Sequence, residues 1–266
     1  MQPHVTPYDV RFSCRLVAPL VLTCVGPSLA VAQTPPPAAP PPPPRLEGTA
    51  ELAFVGTSGN ASTSTFGASG EIIGRPDRWL LKQRLAFVRN KAEDILTADA
   101  WLSGSRVEHQ IAGDGRLSAF GEYEFFRDRF AGVRQRHTAA GGLGWKVVTQ
   151  DAGTFSVDAG LGYLDERRLT GTNVSSATYT TGAILRWKIS STAELADDVR
   201  LTGTFDRARD WRGLHTIALT ARLNALFSLK VANSLRYAND PAPGFRRTDT
   251  ITSIALVAKF SRPPGS

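Results

Sequence analysis

Four histidines are all the imidazole the chain offers for metal binding or general-base work: His4, His109, His137 and His215. None has a second histidine at metal-ligand spacing, so neither a metal site nor a cofactor is expected. His137, with serines and glutamates further along the chain on either side, offers the ingredients of a serine hydrolase acting on lipid chains. A catalytic triad is defined by geometry, however, and spacing along a chain does not supply it. Glu122 and Glu124, two apart, would share one side of a strand as a carboxylate pair, for which pairing with arginines is the plainer use. The most abundant charged group is guanidinium. Arginines cluster at Arg127, Arg129, Arg134 and Arg136, at Arg167 and Arg168, at Arg207, Arg209 and Arg212, and at Arg246 and Arg247. Guanidinium binds phosphate oxygens bidentately, so these groups read as a basic rim, either solvated or facing lipopolysaccharide phosphates.

What must position these groups is a two-residue period that runs from Leu46 to Phe260, with no sustained helical repeat. Leu143, Trp145 and Val147 alternate with Gly142, Gly144 and Lys146. Phe155, Val157, Ala159, Leu161 and Tyr163 alternate with Ser156, Asp158, Gly160 and Gly162. The same pattern gives twelve segments, one of which (residues 97–109) could be apolar on either face. The polar face gathers Glu51, Glu71, Glu122, Glu124 and Asp158 with Lys82, Arg84, Lys146, Arg186, Lys188, Arg200, Arg222, Lys230 and Arg236. Pro76, Pro241 and Pro243, the only prolines in 46–260, all fall between segments, as a sheet ladder requires.

Connections alternate in length. Those at 74–78, 110–115, 149–153, 190–194 and 224–227 read as short; those at 89–96, 127–136, 165–177, 207–214 and 238–248 read as long, and only the first, around Ser58-Gly59-Asn60, breaks the rule. Short turns on one side, longer loops on the other and an even strand count describe an outer-membrane barrel. The expected fold is therefore all-β: a transmembrane antiparallel up-and-down β-barrel of about twelve strands over residues 46–260. Its apolar face meets lipid and its fourteen charged residues line the lumen. Trp79, Trp101, Trp145, Trp187, Tyr123, Tyr163, Tyr179 and Tyr237 are candidates for interfacial girdles. Twelve strands fall between barrels plugged by side chains and barrels that hold aqueous channels, so conduction is left open.

The ends of the chain carry other signals. Arg11 and Arg15 precede an apolar stretch that closes on Ala30-Val31-Ala32, which reads as an export signal over residues 1–32. A lipoprotein reading centred on Cys24 fits less well. Residues 33–45, QTPPPAAPPPPPR, read as an extended polyproline spacer. Residues 261–266 form a tail. Both cysteines, Cys14 and Cys24, lie in the signal, so no disulfide framework supports the rest. The 266 residues carry a formal net charge of +7, with mean hydropathy of −0.15, and past residue 32 no apolar run is long enough for a spanning helix. Nucleic acid would suit a pI of 9.8 but not an exported chain with lipid-facing strands.

Several stretches belong together: Thr57-Ser58-Gly59-Asn60; AFGEYEFFRDRFAGVRQRHTAAGGLGWKVV; FSVDAGLGYLDERR; and LNALFSLKVANSLRYANDPAPGFRRTDTITSIALVAKF. In these the chain resembles the YdiY-like family of salt-induced outer-membrane proteins, a domain-of-unknown-function family. The resemblance implies an outer-membrane barrel, a link to salt or envelope stress, and no established reaction. Such barrels usually end on an aromatic residue read by the insertion machinery, whereas Phe260 is followed here by six more residues. The expected role is a structural or small-solute-permeable envelope component. The alternatives are a lipid-modifying outer-membrane hydrolase and a soluble periplasmic barrel or sandwich with an apolar ligand.

Overall fold

The computed structural model describes residues 44–58, 63–92 and 95–262. The export signal, all but the end of the proline-rich spacer, the Gly59-Asn60 turn and the last four residues of the tail lie outside the described residues.

Twelve antiparallel strands follow one another around a closed barrel: β1 Leu46–Ser58, β2 Thr63–Gly74, β3 Trp79–Ala92, β4 Ile95–Gln110, β5 Leu117–Asp128, β6 Val133–Gln150, β7 Gly153–Arg168, β8 Val174–Lys188, β9 Ala193–Thr204, β10 Trp211–Arg222, β11 Phe227–Ala238 and β12 Thr248–Arg262. Each strand pairs with its sequence neighbours, and β1 pairs with β12 from Leu46↔Arg262 to Ser58↔Thr250. Closure leaves no sheet edge, so the backbone can meet hydrocarbon with its polar groups paired. The strand count and the closed antiparallel order are those read from the period.

The faces sort as the alternation requires. Leu52 is 72% exposed, Leu161 64%, Leu85 56% and Leu143 54%, all on the outside. All five tryptophans are exposed there too: Trp79, Trp101, Trp145, Trp187 and Trp211. A soluble sandwich would bury this surface, and a belt of this size is the mark of a lipid-facing or partner-facing wall. Inside, the buried side chains are mixed: Phe120, Phe126, Leu164 and Val257 lie beside Asp158, Glu166, Thr178 and Thr180. On the outer wall Phe260 lies over Gly48, where a Cβ would come within 2.0 Å of the ring, and β12 continues two residues past it.

The connections differ from the lengths read along the chain. Strands of 12–18 residues exceed the ~9–11 that a tilted strand needs to cross hydrocarbon. The ladder therefore continues past the apolar belt and absorbs most of the expected long loops 127–136 and 165–177, half of 207–214 and only the ends of 238–248. What is left is 129–132, 169–173, 205–210 and 239–247 at one end, and 75–78, 111–116, 151–152, 189–192 and 223–226 at the other. Of these, only 239–247 is long.

Turn chemistry is local. Asn224 Oδ1 accepts from the amides of Leu226 and Phe227, Ser190 Oγ from those of Thr192 and Ala193, and Asp128 Oδ1 from those of Phe130 and Ala131, capping a single 3-10 turn.

The sidedness is testable by substitution. Refolded into lipid vesicles, Leu161→Arg, at the middle of β7, should lose about 2–4 kcal/mol in a denaturant titration. Thr49→Arg, whose side chain lines the interior beside Glu51 and Glu71, should lose far less.

Candidate functional site

Tracing the register strand by strand puts all fourteen residues of the polar face on the interior wall: Glu51 sits across from Ser69, Glu71 from Arg84, Lys82 from Arg106, Arg106 from Glu122, Asp158 from Gly182, Gly182 from Arg200, and Lys230 from Ala255. Three groups of charge result. In the first, Arg106 on β4 is the hub. Its guanidinium reaches Glu108 at 2.6 Å, Glu122 at 2.7 Å and Asp158 at 3.1 Å, and it lies 4.0 Å above the Phe120 ring. Arg200 completes a tetrad with Glu122 at 2.6 Å and Asp158 at 3.4 Å. Strands β4 and β9 are thereby tied across one side of the lumen. The wall beneath the tetrad carries little bulk, with Ala140, Gly142, Gly160, Gly162 and Gly182 facing in. A Cβ at Gly182 would stand 2.8 Å from the Asp158 carboxylate.

The second group consists of separate pairs: Lys230 with Glu51 at 2.9 Å, Lys82 with Glu71 at 3.4 Å, Arg84 with Glu124 at 3.6 Å, and Arg186 bidentate on Asp198 at 2.8 and 3.0 Å. Lys146, Lys188 and Arg222 face in near the turns at the end that holds the chain termini, where the Arg222 guanidinium donates to the Ser191 carbonyl.

The third group lies at the end opposite the chain termini. Arg136, Arg168 and Arg212 converge on Glu166 at 3.3, 2.8 and 3.2 Å. Arg212 also meets Asp210 at 3.1 Å, and Arg236 meets Asp128 at 3.6 Å. Arg136 and Arg236 both lie against the Phe126 ring, at 4.6 and 4.9 Å. Glu166 has only 4% of its side chain exposed, and the three arginines surround it with opposite charge.

The expected basic rim divides accordingly. Arg136, Arg168 and Arg212 belong to strands and point into the barrel. Arg127 and Arg167 belong to strands and point outward, Arg127 pairing with Asp99 at 3.0 Å. Arg134 falls at a register shift in β6 and is exposed. Arg129 is in the 3-10 turn, Arg207 and Arg209 are in 205–210, and Arg246 and Arg247 are in 239–247. In the connection 205–210, burial pushes the Asp210 carboxyl above its ordinary range despite the adjacent Arg212, and both its oxygens lack a hydrogen-bond partner among the described residues. Asp206, exposed nearby, is held below that range by the Ser176 hydroxyl.

The interior encloses a cavity of about 530 Å³ that runs from the 239–247 connection down to Glu71, Lys82 and Lys230. Eleven bases and nine acids line it. Drawn out over the ~25 Å apolar band of such barrels, this volume averages roughly 20 Å² in section, room for small solutes and water.

The histidines lie elsewhere. His109 lies tilted against Trp79, with ring centroids 4.3 Å apart. His137 faces outward, with Nδ1 2.7 Å from the Tyr123 hydroxyl, while the nearby Ser175 hydroxyl donates to Asp165. His215 Nε2 meets Asp197 at 2.7 Å on the outer wall, where ionisable groups persist by pairing with one another. Sequence reasoning missed Arg106, Asp198, Glu166 and this Asp197–His215 pair. Parity within β4 finds Arg106 once Trp101 and Val107 are taken as outward.

Among known families, the model described as "Protein of unknown function, DUF481" matches residues 50–260, which contain all of the stretches that carry the YdiY-like resemblance. The Uncharacterized protein YdiY of Escherichia coli (strain K12) is 24% identical over 216 residues, covering 79% of this chain and 81% of that protein. The solved NanC porin superposes with a TM-score of 0.56 at 11% identity, covering 79% of this chain and 100% of its own. At that identity the likeness is one of fold.

Two outcomes follow from the charge groups. Arg106→Met should cost about 3–5 kcal/mol of stability, because it leaves the enclosed Asp158 with only the longer 3.4 Å contact to Arg200. Lys82→Met should cost less than about 1 kcal/mol, its pair being a third exposed. For Asp210, a folded pKa above the unfolded one means that stability is lost as pH rises through that interval. Asp210→Asn should be more stable than the unaltered chain at pH 7, by a margin that shrinks as pH falls toward the ordinary aspartate range. Denaturant titrations at the two pH values check this.

Proposed function

We propose that this chain, which belongs to the DUF481 family of proteins of unknown function, spans the outer membrane of a Gram-negative bacterium and lets small solutes pass through its lumen. The observation that carries this reading is the inverted wall: leucines and tryptophans face out while eleven bases and nine acids surround a cavity within. Polar groups at that density hold water, and outward apolar side chains are stable only against lipid or a partner. The fold shared with a porin supports the same reading.

Lipid is the first partner this implies. Arg127, Arg134 and Arg167 stand at the outer end with their side chains directed away from the lumen or exposed, and lipopolysaccharide phosphates are the partner their chemistry fits. The outer-membrane insertion machinery is a further partner, reading the β12 end where Phe260 lies on the outer wall. Induction by salt or envelope stress is the setting that the YdiY-like resemblance implies.

The hydrolase alternative gains nothing from the geometry. The Ser175 hydroxyl is engaged by Asp165 and the His137 Nδ1 by Tyr123. The conduit is tested by single-channel recording of the refolded full chain in a planar bilayer. Small, discrete conductance steps are expected. Silence from a sample shown to be folded would contradict the conduit and leave an envelope scaffold.

A further inference from the structure

The cavity wall is charged unevenly along its length. Through its inner and middle parts six bases face six acids, with Asp158 tucked behind Arg106 and Arg200. At the outer mouth five bases line the wall: Arg136, Arg212, Arg236, Arg246 and Arg247. Among the described residues of the lining, Glu166, Asp240 and Asp249 oppose them there, while Asp210 beside Arg212 and Asp128 beside Arg236 stand outside the lining. The whole basic excess of the lining therefore sits at one end, and all of it is guanidinium. Glu166 is already shared by three arginines, and Nη1 of Arg212 is buried without a hydrogen-bond partner among the described residues.

The connection that carries Arg246 and Arg247 is seated across the mouth. Arg168 donates to the Asp240 carbonyl at 2.9 Å, and the Thr170 hydroxyl donates to the Pro243 carbonyl at 2.7 Å. Phe245 packs on Gly132 and Pro243 on Gly171, where a Cβ would come within 2.7 and 2.6 Å of them. Both glycines have left-handed backbones, with φ of +78° and +77°, so the seats require glycine twice over. Ala242, at the centre of the connection, is buried and lines the cavity. This segment forms a brim, anchored on two neighbouring connections, that holds its arginines over the lumen.

We propose that the outer mouth is an anion filter, and that the solutes this barrel passes are small anions, carboxylates and phosphates among them. A ring of arginine at a constriction raises the local concentration of anions and repels cations, and guanidinium recognises oxyanions with directed pairs of hydrogen bonds. The inference rests on the conduit reading and adds to it a substrate class and the residues that select it.

The test is the reversal potential of the refolded full chain in a planar bilayer under a potassium chloride gradient. The unaltered chain should reverse on the chloride side of zero. The double variant Arg246→Gln/Arg247→Gln, confined to the connection, should shift that potential toward zero, and Lys230→Gln, deep in the balanced part, should shift it less. Conducting barrels that prefer potassium, or a folded double variant that reverses where the unaltered chain does, would overturn the filter while leaving the conduit intact. Should the double variant fail to fold, the sign measured on the unaltered chain still decides. A folded barrel that never conducts would overturn the conduit itself.

Discussion

Register pairs from Leu46 with Arg262 to Ser58 with Thr250 join the first strand to the last, and this seam makes the molecule a barrel and not a sheet. Without it, two rows of amides and carbonyls would need water or a partner, and the apolar wall could not enter lipid. With it, the backbone is satisfied from within. The side chains can then invert, with Leu52, Leu143 and Leu161 outside and the acids and bases inside. The lumen charges, the cavity and the seated brim all depend on that inversion.

Once charges face inward, their value turns on burial. The tetrad of Arg106, Arg200, Glu122 and Asp158 combines short distances with a nearly enclosed Asp158 (5% of its side chain exposed), so each member is needed by the others. Lys82 with Glu71, at 3.4 Å and about a third exposed, is looser and wetter; it sets the polarity of the space more than its stability. One side of the lumen is thus bridged and rigid, and the other is left open as cavity. At the mouth, three arginines on Glu166 form a second rigid centre, which also grips the brim through Arg168.

Much of this was legible in the sequence because a strand's period is two and a barrel turns one parity inward all the way round. Residues such as Asp158 between Val157 and Ala159, or Arg200 between Val199 and Leu201, declare their side. Arg106 did not, because Ser103 and Ser105 on the outer wall blur the alternation of β4. The arginines near the mouth were harder still. Arg136 shares the parity of Ala140, yet whether it stands in a loop or on a strand depends on how far the ladder runs past the apolar belt, and that is settled by pairing with β5 and β7. Nor does any local signal show that Pro243 and Phe245 fold back onto Gly171 and Gly132, since each contact joins residues far apart in the chain.

The five tryptophans offer the most direct check on the inversion, since all of them lie on the outer wall. Reconstituted into vesicles of brominated phospholipid, the protein should lose much of its tryptophan emission, while iodide in the surrounding water should quench little. Emission indifferent to the bromine atoms and readily quenched by iodide would mean that this wall does not face lipid, and the reading of the lumen would fall with it.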